Sequence, residues 1–369
     1  MLSVPGPEIL PGTREYAWVA SVVAAVERRT GRPSRWDRRL FEETSGVFAA
    51  ATPNGPMTVS REHVLDPVLR GYDAPEELSY HDHQLIRLAT AVVIHETDHH
   101  QAELGDPAAP DAIRELGPAD MALSEGFAEL KAKRLTTAVM EDTGMDRAIP
   151  GSTQARIGSV YPGYRGSVEG VVLGLQELTG RPRHEIVSAI QDAPRLQRYN
   201  AMADLLIDAR LDGLMPPEHR SQVRLALTRP LLDELAAMTE HESPTGDQRA
   251  LDNLGHEHAE RALGTVEQQL AGIELHYRAH GDHPPRMPMS AQERAQVQRI
   301  EAYYGRPSID LETTHLRQFL DSGAHSGLAA GGTAAGGGAA GAAGAAASGA
   351  AAAARSAWRP PPSNGGHAR

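Results

Sequence analysis

The chain has no cysteine, which excludes a disulfide framework and any thiolate metal site and leaves the redox compartment open. Aromatic side chains make up only 4% of it; with the abundance of Ala, Gly, Arg and Pro, this reads as a genome-composition bias more than a functional one. Positive charge is also scarce. Lys and Arg number 36 against 48 Asp and Glu, a net charge of -12, which argues against a general binder of nucleic acid or anionic membrane. No apolar run reaches membrane-spanning length. The best, in an amphipathic helix over Tyr16 to Arg29 with Trp18, Val19, Val22, Val23 and Val26, is too short to span and follows Glu15 rather than a basic leader. The expectation is therefore no integral membrane segment, and a cytoplasmic location or export without a cleavable signal peptide. What remains is 369 residues that are 40% hydrophobic, enough for a real core and long enough for two domains.

The rest is organised around Ala91 to His100, which contains H-E-x-x-H as His95, Glu96 and His99. On an α-helix, residues i and i+4 lie one above the other, so the two imidazoles can converge on one ion. Glu96, rotated by about 100° from His95, sits beside that ion, placed to take a proton from the water it activates. Leu85, Leu88 and Val92 continue into His95 and His99 at spacings of three and four, so one helical stripe points the histidines inward. The competing reading is a pair of core histidines bonded to carbonyls; the ligand spacing and the intervening glutamate weigh against it.

A catalytic zinc site needs a third protein ligand and an open position. Glu125 is the best candidate. It lies early in a helical pattern over residues 118 to 142, opened by Gly117 and Pro118. Leu123, Phe127 and Leu130 form an apolar stripe, Glu125 and Glu129 a second beside it. Gly126 leaves room for another helix to come close.

The H-E-x-x-H, followed by Glu125, Gly126, Phe127 and Ala128, resembles the gluzincin-type zinc metallopeptidases, the thermolysin-like and aminopeptidase-like enzymes. The resemblance implies ligands His95, His99 and Glu125 for Zn²⁺, Glu96 as general base, and Glu129 as the carboxylate that orients a ligand histidine. It departs in two respects: the gap from His99 to Glu125 is longer than in the thermolysin-like enzymes, and position 129 is Glu rather than Asp. The metzincin pattern fits worse, with Ala102 and Gly105 where its glycine and third ligand fall; Glu103 and Asp106 are minor ligand candidates. Such enzymes commonly stabilise the oxyanion with a Tyr or His, for which Tyr164 and Tyr161 are the nearest candidates, then Arg165 and His184. A turn whose tyrosines pack on the core is the alternative.

Elsewhere the expectations are structural. Residues 1 to 14 read as an irregular N-terminus. Two short runs around Asn54 and Gly55, within residues 46 to 60, predict a β-hairpin, and Ser60 or Arg61 opens a short helix through Leu69. His81, Asp82 and His83 read as a polar helix cap rather than a second metal site, and His100 as exposed. Gly105 to Gly117 is a reversing loop containing a short helix over Asp111 to Leu116. Ser167 to Met238 carries four helical stripes. His256, Glu257, His258, His276, His280 and His283 invite a second-metal reading, against which Gln248 to Arg278 reads as a charged, exposed helix. Helices over 290–304 and 310–321 follow. Gly323 to Ala354 is nearly all Ala and Gly, a composition that buries nothing and predicts a disordered tail.

The sequence thus predicts an α+β, mostly helical, zincin-like domain over residues 15–240, with a small antiparallel sheet and the H-E-x-x-H helix packed on a Glu-ligand helix. A polar helical region (241–322) and a low-complexity tail (323–369) complete the chain. The expected activity is zinc-dependent hydrolysis of a peptide or protein substrate. Two rivals are an effector or toxin protease directed at one protein, and a non-catalytic helical interaction protein with a degenerate motif.

Overall fold

A computed structural model describes residues 6–113, 117–243, 246–281, 284–285 and 287–304. The expectations for 310–321 and the Ala/Gly tail, and for His283, lie outside the described residues. The elements run β1 (Glu8–Ile9), α1 (Arg14–Thr30), β2 (Leu40–Glu42), β3 (Ala49–Ala51), β4 (Met57–Val59), α2 (Asp66–Asp73), α3 (Tyr80–Gln101), α4 (Gly117–Asp142), α5 (Met145–Ala148), α6 (Pro162–Thr179), α7 (Arg183–Asp192), α8 (Arg198–Arg210), α9 (Arg220–Met238), α10 (Gln248–His280) and α11 (Ala291–Tyr304). The chain is mostly helical with one small sheet, an α+β arrangement. No described helix is long and apolar enough to cross a membrane.

The sheet corrects one expectation. Its order is β1-β2-β4-β3, and it is mixed rather than antiparallel. The predicted hairpin is present, with Ala49 opposite Val59 and Ala51 opposite Met57, and its turn holds Asn54 at φ 52°, a left-handed conformation Asn tolerates. β2, however, runs parallel to β4. The N-terminus is not wholly irregular either: Glu8 and Ile9 pair antiparallel with β2, because Ile9 buries its side chain under the sheet. β3 is left at the edge.

Two apolar clusters share α4. One gathers α1, the sheet, α2, α3 and the second half of α4 through Ala132, Leu135, Val139 and Met140. The other takes the first half of α4, through Leu123 and Phe127, with α6, α8, α9 and α10. Where the clusters meet, α3, α4 and α6 come together.

Helix α10 differs from its expected exposed character. Its polar composition conceals one buried face, on which Ala259, Ala262, Leu263, Val266, Leu270 and Ile273 join the same cluster as α6, and His258 is buried. Glycines set this contact. Gly163, Gly166, Gly170 and Gly174 recur along α6 at helical spacing, and a Cβ at Gly166 would fall 2.2 Å from the Asp252 carbonyl. Gly255 answers from α10: a Cβ there would meet the Gly163 carbonyl at 2.1 Å. Glycine at each costs helix propensity of about 1 kcal/mol, offset here by backbone approach. The short helix expected over Asp111 to Leu116 is not seen at 111–113, while residues 114–116 lie outside the described set.

Candidate metal centre

Helix α3 begins with Ser79 as N-cap in a reciprocal capping box with Asp82. Asp82 also pairs with Arg70, which is the polar cap expected at 81–83. Four turns on, the helix is buried almost all round and carries His95, Glu96 and His99 against α4.

His95 and His99 face Glu125. The separations are 2.9 Å from His95 Nε2 to Glu125 Oε2, 3.4 Å from His99 Nε2 to Glu125 Oε1 and 3.1 Å between the two Nε2 atoms. Three donor atoms within 4.8 Å of one another make this the group of described His, Asp and Glu side chains able to hold a metal ion. The spacing fits one. A tetrahedral zinc with ligands at about 2.0–2.1 Å holds them about 3.3–3.4 Å apart, within a few tenths of the distances here.

Charge makes the same demand. Burial pushes the Glu125 carboxyl up, but the imidazoles of His99 and His95 outweigh it and hold the group well below the usual carboxylate range. Burial likewise opposes a charge on His95, yet Glu125 and Glu129 hold its pKa well above the ordinary value. Three buried carboxylates, Glu96, Glu125 and Glu129, surround this spot, and among the described residues no Lys or Arg forms an ion pair with any of them. Buried anions without a cationic partner are costly; the cation this cluster supplies itself is a protonated His95, whose place a metal ion could take.

Glu129 Oε1 lies 3.2 Å from His95 Nδ1, placed to accept from it and so to leave Nε2 as the nitrogen able to ligate once deprotonated. Glu129 Oε2 accepts from the Ser159 hydroxyl and, at 3.2 Å, from the Val160 amide, so one carboxylate holds both His95 and the chain segment leading to Tyr161. Glu96 takes an amide hydrogen bond from Ala51 on the edge strand; burial dominates it and raises its pKa, helped by Glu125 and opposed by His95 and His99.

Tyr161 and Tyr164 both arrive at the cluster. The Tyr161 ring lies 5.9 Å from that of His95 and stacks on Tyr164 at 5.6 Å. Burial, then Glu125, Glu96 and Glu129, raise the Tyr161 phenol well above its normal pKa, keeping it protonated as a donor. Tyr164 is raised too, chiefly by burial. Gly126 permits this: a Cβ there would sit 2.4 Å from the Tyr164 carbonyl and 2.5 Å from Val168, so the close helix it admits is α6.

No family model, curated protein or solved structure matches this chain. The cluster is therefore read from its own geometry.

Several candidates are not brought into it. Arg165 is engaged by Asp252 at 2.6 Å, His184 is exposed on α7, and Glu103 pairs with Arg35 at 3.1 Å. Asp106 instead accepts from the Ala108 amide in its own loop. His100 corrects the expectation of exposure: it is 1% exposed, and burial, with His99 beside it, lowers its pKa to about 4. His258, expected on an exposed face, bonds Glu234 at 2.7 Å.

Sequence reading missed a second buried cluster on the same helices. Asp98, inside the H-E-x-x-H itself, pairs with Lys131 of α4, whose ammonium also donates to Gln101 Oε1 at 3.0 Å. Both lie 3% exposed, and Arg198, 1% exposed, adds a further positive charge near Asp98. A signal existed: Lys131 is one of only two lysines in the chain, and it stands in an otherwise apolar helix stripe. Glu242, in the turn after α9, gave no such signal.

Proposed function

We propose that the chain is a zinc-dependent peptide hydrolase. One observation carries the reading: His95, His99 and Glu125 converge with their donor atoms within 4.8 Å of one another in a buried cluster that no described Lys or Arg pairs with, with Glu96 one position along the same helix. Two imidazole nitrogens and one carboxylate suit zinc.

When bound there, zinc supplies a Lewis acid that polarises a carbonyl and acidifies a water. The remaining work belongs to the chain. Glu96, its pKa raised by burial, accepts a proton from the attacking water and returns it to the leaving amine. Glu129 holds the His95 ring in the ligating tautomer. The protonated phenol of Tyr161 donates toward the carbonyl oxygen as negative charge builds on it, worth a few kcal/mol. The edge strand β3, whose Ala51 amide already reaches Glu96, offers backbone groups along which an extended peptide can lie.

The test is digestion of a peptide library with added zinc and with chelator. Cleavage is expected only with metal, at about one zinc per chain from the three-ligand set. Glu96→Gln should keep the metal and lose cleavage; a protein that binds no zinc, or a Glu96→Gln variant that still cleaves, rejects the reading.

A further inference from the structure

Helix α6 starts without a cap of its own. Position 161 is its N-cap, and the tyrosine there makes no capping hydrogen bond because its ring is turned to His95. Ser, Thr, Asp or Asn ordinarily fills this place, accepting from the amides two or three residues on. Here the acceptor comes from 78 residues downstream: Glu242, in the turn between α9 and α10, takes the Tyr164 amide at 2.8 Å. Its carboxylate also lies against Gly163, where a Cβ would come within 2.7 Å of Oε2. Gly163 and Tyr164 are the second and third residues of α6, so this carboxylate occupies the space a capping side chain would fill.

The start of α10 holds the segment at two further points. Gln248 brackets Ser159, accepting from its amide at 3.1 Å and donating to its carbonyl at 3.0 Å. Asp252 takes Arg165 at 2.6 Å. Residues 159–165 are thus held from inside by Glu129 and from outside by Glu242 and the start of α10, with Tyr161 between.

We propose that Glu242 is a positioning residue for Tyr161: it caps α6 from the α9–α10 turn because the N-cap position is taken by a tyrosine directed at the metal centre. This makes the polar region beyond residue 240 part of the site's construction. Its kinetic consequence rests on the peptidase reading above; its structural consequence does not.

The experiment uses the full-length chain and three variants, Glu242→Ala, Glu242→Gln and Gln248→Ala, with Glu242→Ala also made in a Tyr161→Phe background. Glu242→Ala is expected to lower kcat roughly tenfold or more, as small misplacements at an active site do, with zinc content and KM unchanged, and Glu242→Gln, still an acceptor, to restore most of it. In the Tyr161→Phe background the same Ala substitution should cost less than about twofold, the non-additivity expected when two residues act through one group. An equal loss in both backgrounds, or an equal loss with Gln, overturns the proposal. Hydrogen exchange supplies the arm independent of activity. Amides of 159–165 should exchange faster in Glu242→Ala, and to a smaller degree in Gln248→Ala, while α3 and α4 keep their protection. If the wild type cleaves no peptide, the peptidase reading falls and exchange alone decides: no change in 159–165 would reject the cap.

Discussion

Helices α3 and α4 carry two buried charged clusters within about two turns of each other, and they are built on opposite terms. Around Asp98 the chain brings its own cations, Lys131 and Arg198, and the carboxyl is held below its usual range although burial pushes the other way. Around His95 it brings carboxylates and imidazoles, with no Lys or Arg ion pair among the described residues. The first cluster is closed by side chains and can act as a structural pin between the helices. The second is closed by imidazoles alone and leaves room in its charge balance for a cation. Two polar clusters of equal burial can therefore be separated by charge balance, and the unbalanced one is the candidate site.

That contrast predicts different failures. The largest effect should follow Glu125→Ala: zinc affinity, measured by competition with a chromophoric chelator, should fall by well over the 10–100-fold typical of losing an outer partner. Glu129→Ala should fall within that range. The apo-protein's urea midpoint should fall by less, since the pairing with His95 and His99 that Glu125→Ala removes is partly offset by relief of the crowding with Glu96 and Glu129. At the other cluster the order reverses. Asp98→Asn leaves Lys131 and Arg198 buried without a countercharge and should cost roughly 3–5 kcal/mol of stability, with zinc affinity nearly unchanged. Lys131→Met leaves Asp98 beside Arg198 and should cost about half as much. Should Asp98→Asn instead weaken zinc more than it weakens the fold, the two clusters are one, and the comparison breaks.

Much of the candidate cluster was legible because it obeys local rules. His95, Glu96 and His99 share one helix, and Glu125 with Glu129 another, so period alone puts each group on one face. Gly126 was legible for the same reason: a glycine in an apolar helix stripe signals close approach, here of α6. What escaped depended on pairing across sequence. Asp98 looked like one more charge beside a metal motif until Lys131 met it from 33 positions on. The parallel pairing of β2 with β4 cannot be seen in three-residue strands that carry almost no alternation. In α10, scattered acidic residues and histidines masked the buried face that its alanines and leucines supply, and the glycine row of α6 that receives it adds nothing to a hydrophobic period. His100 follows the same pattern, since its surroundings include chain outside its own helix: its carbonyl accepts from the Arg35 amide at 2.8 Å, and Asp37 lies near enough to act on its ring.

The next effect in size concerns how tightly the acidic cluster is walled. Gly126→Ala puts a methyl into the Tyr164 carbonyl and Val168, and overpacking of this kind costs about 1–3 kcal/mol. Because backbone rather than a flexible side chain must yield, the variant should also shift the Tyr161 ring, so that kcat falls while zinc affinity holds. A variant that loses stability alone would sharpen the contrast differently, making the α4–α6 contact purely structural.

The smallest effect extends the acidic excess beyond the ligands. Glu242 is pushed up to about 7, first by burial and further by Glu129, against the amides of Tyr164, Ser243 and Gly163 that favour its charged form. An unfolded glutamate titrates near 4.3, so between roughly pH 4.3 and 7 the folded chain holds this proton more tightly than the unfolded one. Stability from this group is then fully present below the unfolded value and declines as pH rises, levelling off above about 7. Glu242→Gln cannot ionise and escapes the decline. Urea midpoints at pH 5 and pH 8 should show the wild type losing on the order of 1–2 kcal/mol relative to the Gln variant, allowing for the partial exposure of the side chain. Saturating zinc should shrink the difference, because a cation offsets the negative charge that Glu129 directs at Glu242. A wild type and variant that run parallel across that range would place Glu242 outside the acidic excess and leave the imbalance confined to the three carboxylates around His95.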